Sequence, residues 1–174
     1  IDSGTEIRAF QGHTDTVKPV AISVDGRRLV TGSYDKSAKL WDIDSGRELR
    51  AFQGHTSSVM SVAISADGRR LVTGSSDKSA KLWDIDSGTE IRAFQGHTDT
   101  VKSVAISADG RRLVTGSYDK SAKVWDIDSG RELRTLGGYT SRVAAVAISP
   151  DGHTVAVATY QGTVDIWRLT TREP

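Results

Sequence analysis

The stretch Gly32-Ser33-Tyr34-Asp35-Lys36-Ser37-Ala38-Lys39-Leu40-Trp41-Asp42 decides the fold, because it recurs along the chain at a fixed spacing. Its closing dipeptide returns as Trp83-Asp84 and Trp125-Asp126, and a fourth copy ends in Trp167-Arg168. The tryptophans are 42 residues apart, and a period of this length is typical of repeat proteins. We therefore treat residues 1–174 as a single unit, divided into repeats 1–42, 43–84, 85–126 and 127–168 and a tail at 169–174.

The composition excludes several classes of protein. The 174 residues contain no cysteine, which rules out disulfides and thiolate zinc sites. The net charge of +1 provides no overall attraction to nucleic acid or to a membrane surface. No apolar run approaches the roughly 18 residues that a membrane span requires. We expect a cytoplasmic protein that binds no cofactor and no metal.

Each repeat predicts four short strands. In the first repeat they are Glu6–Phe10, Val17–Ser23, Arg28–Ser33 and Ser37–Asp42. The segments between them carry turn signals such as Asp25-Gly26, a dipeptide that is typical of β-hairpins when it lies between apolar runs. No segment holds a helical period. The sequence therefore predicts an all-β chain.

The order Gly12-His13, Asp25-Gly26 and Trp41-Asp42 resembles the signature of the WD-repeat β-propellers. The resemblance covers all 174 residues and recurs nearly intact three times, whereas the fourth repeat departs with Gly138-Tyr139 and Trp167-Arg168. It implies a propeller of four-stranded antiparallel blades, four blades per chain. It also implies that each blade takes three inner strands from one repeat and its outer strand from the next.

This frame leaves one strand over at each end of the chain. Blade four lacks an outer strand, and Glu6–Phe10 is an outer strand without a blade. Residues 1–4 repeat residues 43–46, which suggests a start inside a longer array or a designed start. Four blades would each have to span about 90°, whereas family rings of seven or eight use about 45–51° per blade. We predict a homodimer that exchanges this strand to form an eight-bladed ring without open sheet edges; a closed four-bladed monomer and other oligomers are the alternatives.

Each of the first three repeats has a histidine, a threonine, an aspartate and a tryptophan at matching positions. The threonine, histidine and aspartate together resemble a nucleophile, a base and an orienting group. Three equal copies argue against catalysis, however, because an enzyme needs one tuned site. In the WD-repeat family these residues form a hydrogen-bonded chain that satisfies the buried indole. The resemblance therefore implies a non-enzymatic protein with structural networks at His13, Thr31, Asp35 and Trp41; His55, Thr73, Asp77 and Trp83; and His97, Thr115, Asp119 and Trp125.

The fourth repeat has Tyr139, Val157 and Gln161 at these positions. We expect it to keep Trp167, to lose the network and to be the least rigid blade.

Two other motifs favour turns over ligand sites. Asp42–Gly46 is similar to the opening of a calcium loop but lacks the later carboxylates that complete such a site. Paired arginines on one face of a propeller could follow a phosphate backbone. Each pair follows an aspartate, however, which makes nucleic-acid binding unlikely; the pairs are Arg27-Arg28, Arg69-Arg70 and Arg111-Arg112.

Half of the differences between the first two repeats lie at one face. Repeats one and two differ at eight positions, and four of these lie, by resemblance, at or near the top rim of the propeller, where the family binds proteins. We expect a protein-interaction scaffold whose top face suits an acidic or phosphorylated peptide. The alternative is a designed or truncated repeat protein with a purely structural role. The predicted top-face residues are Thr16, Lys18 and Tyr34; Ser58, Met60 and Ser76; Thr100, Lys102 and Tyr118; and Arg142, Ala144 and Tyr160.

Overall fold

Fifteen β-strands make up the regular structure of the computed structural model, which describes residues 4–170. They form four antiparallel sheets, which we call blades 1 to 4 in chain order; blades 1 to 3 have four strands and blade 4 has three. In the part of the chain that is described, no helix is long and apolar enough to cross a membrane. The all-β prediction is confirmed, and the predictions for residues 1–3 and 171–174 lie outside the described residues.

Within each blade the strands lie side by side in chain order. Blade 1 comprises β1 (Val17–Ile22), β2 (Arg28–Ser33), β3 (Ser37–Asp42) and β4 (Glu48–Gln53). Blade 2 comprises β5 (Val59–Ile64), β6 (Arg70–Ser75), β7 (Ala80–Asp84) and β8 (Glu90–Phe94). Blade 3 comprises β9 (Val101–Ile106), β10 (Arg112–Ser117), β11 (Ala122–Asp126) and β12 (Glu132–Leu136). Blade 4 comprises β13 (Val143–Ile148), β14 (Thr154–Thr159) and β15 (Val164–Arg168).

The outer strand of each four-stranded blade comes from the following repeat. Strand β4 lies in the second repeat and pairs antiparallel with β3 of the first, with Ser37 opposite Gln53 and Leu40 opposite Arg50. Strands β8 and β12 pair with β7 and β11 in the same way. The exchange of outer strands between repeats, implied by the resemblance, is therefore present along the chain.

The first predicted strand, Glu6–Phe10, is not a strand in the structure. An outer strand forms by pairing with the third strand of the preceding blade, and none of the described residues supplies such a blade before blade 1. The segment has strand-forming residues but no hydrogen-bonding partner. The other three strands predicted for the first repeat are present, and β1 ends one residue earlier than predicted, at Ile22.

The Asp-Gly hairpin turns are held by side chains as well as by backbone. Ser23 Oγ donates to Asp25 Oδ1 at 2.5 Å, and Gly26 N–H donates to the Ser23 carbonyl at 2.9 Å. Gly26 has a φ of 71°, in the left-handed region that glycine adopts without strain. These bonds fix the bend between the first two strands of the blade.

The core lies between the blades. The forward face of each blade, which we define as the face toward the next blade along the chain, packs against the back face of that next blade. Between blades 1 and 2, for example, Leu40 and Phe52 pack with Leu71 and Trp83. Equivalent clusters join blades 2 and 3 and blades 3 and 4. Each blade therefore gains most of its apolar burial from its neighbours in the array.

The two ends of the array expose residues that its interior buries. Val17, on the back face of blade 1, is 45% exposed, whereas its counterpart Val59 in blade 2 is fully buried. Ile166, on the forward face of blade 4, is 66% exposed, whereas its counterpart Leu40 in blade 1 is 2% exposed. The back face of blade 1 and the forward face of blade 4 are therefore exposed apolar faces, and their counterparts pack together between neighbouring blades.

Candidate functional site

Four polar side chains form a continuous hydrogen-bonded chain in blade 2. Trp83 Nε1 donates to Thr73 Oγ1 at 2.9 Å. Thr73 Oγ1 lies 2.7 Å from His55 Nε2, and His55 Nδ1 lies 2.7 Å from Asp77 Oδ2. Because the carboxylate accepts at Nδ1–H, Nε2 is the acceptor for the threonine hydroxyl. The same contacts join the predicted residues of blades 1 and 3, namely His13, Thr31, Asp35 and Trp41, and His97, Thr115, Asp119 and Trp125.

The electrostatics favour an ionised carboxylate in all three chains and a neutral imidazole in that of blade 3. Burial opposes ionisation of Asp77, but hydrogen bonds from His55 and Ser79 outweigh it and hold the pKa of the carboxyl well below its usual range. Burial lowers the pKa of His97, and its hydrogen bond to Asp119 offsets this in part. Every polar group along the chain is engaged, which leaves the threonine hydroxyl occupied on both sides.

Blade 4 satisfies its indole in a different way. Trp167 Nε1 donates to the Tyr139 hydroxyl at 2.7 Å, and Thr140 Oγ1 donates to Gln161 Oε1 at 2.6 Å. The first bond was not predicted from the sequence. Two departures from the repeat, Tyr139 for histidine and Val157 for threonine, compensate each other, because the longer tyrosine reaches the indole that valine cannot bind.

The paired arginines are not a free ring of positive charge. The second arginine of a pair reaches toward the following blade: Arg28 binds Asp86 at 3.0 Å and Arg70 binds Asp128 at 3.1 Å. Arg112 donates to the Gly152 carbonyl. These contacts tie neighbouring blades together and reduce the charge that is available to a nucleic acid.

The aspartate-rich segment after β3 forms a turn. Asp42 Oδ1 accepts from the backbone N–H and the hydroxyl of Ser45, at 2.7 and 2.5 Å. These bonds lower the pKa of the Asp42 carboxyl. Among residues 4–170 no group of three or more histidine or acidic side chains is arranged to hold a metal ion.

The predicted top-face residues meet at one end of each blade. We define the top end as the end where the first strand of a blade begins and its second strand ends. There, Tyr34 N–H donates to the Thr16 carbonyl at 2.9 Å, which places the two residues side by side. The same backbone bond joins Ser76 with Ser58, Tyr118 with Thr100, and Tyr160 with Arg142.

Cations and aromatic rings lie together at this end. Lys18 Nζ lies 5.3 Å from the centre of the Tyr34 ring. The Arg142 guanidinium lies 4.8 Å from the centre of the Tyr118 ring, and Tyr118 meets Tyr160 edge to face with ring centres 5.7 Å apart. The hydroxyls of these two tyrosines are 3.1 Å apart. We call these five residues the top cluster.

The top cluster joins side chains of three blades, whereas blade 2 contributes Ser58, Met60 and Ser76, which have neither a charge nor a ring. Burial, followed by the hydrogen bond to Tyr160, raises the pKa of Tyr118 to about 12, so the Tyr118 hydroxyl stays neutral and can donate. The neighbouring Tyr34 raises the pKa of Lys18, which stays a cation. The cluster therefore combines permanent positive charge with hydroxyl donors.

Comparison with known proteins places these repeats in a family. The sequence matches the family model described as WD domain, G-beta repeat, four times, over residues 4–42, 46–84, 88–126 and 130–168. Over 37 residues it is 49% identical to Protein groucho of Drosophila melanogaster, a match that covers 21% of this chain and 5% of that protein.

The fold is similar to a crystal structure of the RRP9 WD40 repeats, with a TM-score of 0.87 and 29% sequence identity. The match covers 93% of this chain and 51% of that one. The chain thus spans about half of that WD40 structure and a small part of the curated relative.

Proposed function

Because the chain belongs to the WD40-repeat family, whose repeats generally mediate protein–protein interactions, we propose that it is a non-catalytic scaffold that binds a protein or peptide on its top end. The top cluster carries this proposal. Lys18, Arg142 and Tyr160 are exposed, so their charges and hydroxyl are accessible to a partner. Tyrosine and arginine are also the residue types that most often dominate binding energy at protein interfaces.

The chemistry of the cluster favours an acidic or phosphorylated peptide. A phosphate or carboxylate would accept from the Arg142 guanidinium or the Lys18 ammonium, and charge-assisted bonds of this kind are the stronger hydrogen bonds in proteins. The tyrosine rings supply flat apolar area at small entropic cost. The cation–π contacts hold both cations over rings before any ligand arrives, which reduces the ordering cost of binding.

The direct test is binding of a fluorescein-labelled acidic phosphoserine peptide, measured by fluorescence polarisation against a peptide with alanine in place of the acidic residues. Replacing Tyr34, Tyr118 and Tyr160 together with alanine should abolish binding while the circular dichroism spectrum is retained. A matched triple variant at the opposite end, Arg27, Arg69 and Arg111 to alanine, should bind like the wild type. Equal binding by both variants, or equal binding of both peptides, would contradict the proposal.

The absence of catalysis is supported by the repetition of the histidine networks. Three nearly equal copies, each saturated with internal hydrogen bonds, suit a structural role, because a closed polar network rigidifies its blade. Trp83, for example, is 2% exposed and its N–H has a partner. In this proposal the networks position the loops that carry the top cluster and take no part in chemistry.

We further propose that two copies of the chain form an eight-bladed ring by exchanging the segment Glu6–Phe10. That segment already lies where an outer strand of a preceding blade would lie. Arg8 donates to the carbonyls of Asp44 and Ser45, as the outer-strand residue Arg50 donates to the Asp86 carbonyl in the next blade. What the segment lacks is a third strand to pair with, and β15 is a third strand without an outer partner in the described chain.

The arrangement of the blades supports this proposal. The chain is similar to about half of a WD40 structure at a TM-score of 0.87, so its blades have the curvature of such a propeller. Light scattering should give about twice the chain mass of 18.7 kDa. A single chain mass at every concentration would refute the ring and favour a monomer.

A designed or truncated repeat protein without a partner is the second candidate. The near-identity of repeats one and three, which differ at Pro19/Ser103, Val24/Ala108 and Leu40/Val124, favours it. The peptide-binding experiment separates the two, because this candidate predicts no binding by the wild type.

A further inference from the structure

In the proposed ring, the forward face of blade 4 in one copy would pack against the back face of blade 1 in the other. This closing contact differs from the interfaces inside the chain at three positions. This inference rests on the ring proposed above. We propose that Asp165, Ala145 and Ala158 weaken the contact between the two copies, so that the ring opens reversibly there and not between blades of one chain.

The first difference is a charge. In blade 1, Lys39 Nζ on the third strand binds Glu48 Oε2 on the outer strand at 2.6 Å and lies 5.8 Å from the centre of the Trp41 ring. Lys81 with Glu90 and Lys123 with Glu132 repeat this bridge at 2.6 and 2.8 Å.

Blade 4 has Asp165 at the lysine position. If the exchanged segment paired with β15 in the register of β3 and β4, it would bring Glu6 of the second copy to the glutamate position. The exchange therefore sets two carboxylates against each other, and like charges across a strand pair are destabilising.

The second difference is steric. The forward faces of blades 1 to 3 have a glycine at the end of the second strand, and a methyl group at Gly116 would lie 2.6 and 2.7 Å from the Cγ1 atoms of Val143 and Val146. Contacts this short force a neighbour to move, and valine side chains have little rotational freedom. The other two glycines, Gly32 and Gly74, face the valines of their next blades in the same way.

Blade 4 has Ala158 at this position. In the ring its methyl group would meet Val17 and Val20 of the second copy, the counterparts of the valines that pack on Gly116. The closing contact must therefore sit further apart than the internal interfaces, with looser packing.

The third difference is a hydrogen bond, which two of the three internal interfaces have; blade 1 has Pro19 at the serine position. Val104 N–H in blade 3 donates to Ser61 Oγ of blade 2 at 3.1 Å, and Val146 N–H in blade 4 donates to Ser103 Oγ of blade 3 at 3.1 Å. Blade 4 has Ala145 at the serine position. Val20 N–H of the second copy would find no side-chain acceptor there, and leaving a donor unpaired at an interface is costly.

The apolar parts of the two faces still match. Val17, Val20 and Ile22 on the back face of blade 1 are exposed, as are Val164 and Ile166 on the forward face of blade 4, and their counterparts pack together at each internal interface. The contact therefore keeps its specificity for a second copy while it loses a salt bridge, a close fit and a hydrogen bond.

The charge pair provides the sharpest test. Sedimentation equilibrium of the full chain over a concentration series at neutral pH gives the dimer dissociation constant. D165K and E6K should each lower this constant about three- to tenfold, since each converts the repulsive pair into an attractive one at both closing contacts. The double variant E6K/D165K, which restores like charges, should return to the wild-type value or above.

The double variant is also the control for net charge. It changes the overall charge more than either single variant, so an effect of net charge alone would continue to grow in it. Added salt should tighten the wild-type dimer and weaken the D165K dimer, because screening relieves a repulsion in the first and an attraction in the second.

The packing differences are tested with A145S/A158G, which gives blade 4 the residues that blades 2 and 3 have at these positions and should also lower the dissociation constant about tenfold. A wild type that stays monomeric at every concentration overturns the proposed ring. A dimeric wild type whose dissociation constant is unchanged in D165K, in E6K and in A145S/A158G overturns this inference alone.

Discussion

Phe10 packs edge to face against Trp41 with ring centres 5.7 Å apart, although Phe10 belongs to no strand. Phe52 and Trp83 meet in the same way at 5.8 Å between blades 1 and 2, where Phe52 lies on β4, the outer strand of blade 1. The N-terminal segment is thus positioned by side-chain packing before any backbone pairing is available to it. In the proposed ring, a segment held in this way would be free to pair with β15 of a second copy.

Replacing Phe10 with alanine should cost much less stability than replacing Phe52. Phe52 is 1% exposed between two blades, and a buried Phe→Ala change typically costs about 3–5 kcal/mol, whereas Phe10 is covered on one side only. Urea denaturation of F10A and F52A at a concentration where the wild type is monomeric measures the difference. Equal losses would mean that the N-terminal segment is as firmly held as a paired strand.

Removing one hydroxyl should break the polar chain of blade 2. In T73V the Trp83 indole and the His55 imidazole both lose their partner in a buried site, which predicts a loss of about 1–3 kcal/mol in the free energy of unfolding. The control is T73S, which keeps the hydroxyl that the indole and the imidazole bind and should cost less. Equal effects of the two variants would contradict a structural role for the network.

Much of the fold could be predicted from the sequence because the repeat supplies its own alignment. The bounds of β2 and β3 match the prediction, since turn signals on both sides fix them locally. The fate of Glu6–Phe10 depends on a partner strand that the local sequence does not contain.

Contacts between repeats could not be predicted from the sequence either. Arg28 and Asp86 are 58 residues apart, and nothing in either segment indicates their pairing. The Tyr139–Trp167 bond could not be predicted either, because it depends on how Tyr139 lies relative to the indole in the folded chain. The cation–π contact of Arg142 with Tyr118 crosses from one blade to the next, so the residues of the top cluster could be named but their grouping could not.

Stability should fall as the pH is lowered. Burial lowers the pKa of His97 below its ordinary 6.5, so the unfolded chain binds a proton that the native chain resists. The contribution of His97 is complete above pH 6.5 and is lost as the pH falls from there toward the folded pKa. Burial opposes ionisation of Asp119, but hydrogen bonds from Ser121 and His97 lower its pKa, so its contribution is complete above pH 3.8 and is lost below it.

The urea concentration at the midpoint of unfolding, measured across this pH range, checks the direction of the change in stability. The wild-type midpoint should decrease from neutral pH toward pH 5, before the carboxylates titrate. In H97N, which removes the titrating group, the decrease should be smaller even though the protein is less stable throughout. A midpoint that rises on acidification would contradict the lowered histidine pKa.

Replacing Lys78 with glycine should stabilise the chain. Lys78 has a φ of 73°, and a side chain in this left-handed region costs about 1–2 kcal/mol. Glycine relieves that strain and loses about 0.5–1 kcal/mol through its greater freedom in the unfolded chain, which leaves a net gain of about 0.5–1 kcal/mol. Blade 4 already has Gly162 at this position, with a φ of 85°. The control is K102G within strand β9, where glycine should destabilise. Thermal melts of both variants give the change in stability. A loss of stability in K78G would show that the lysine contributes through a contact of its side chain.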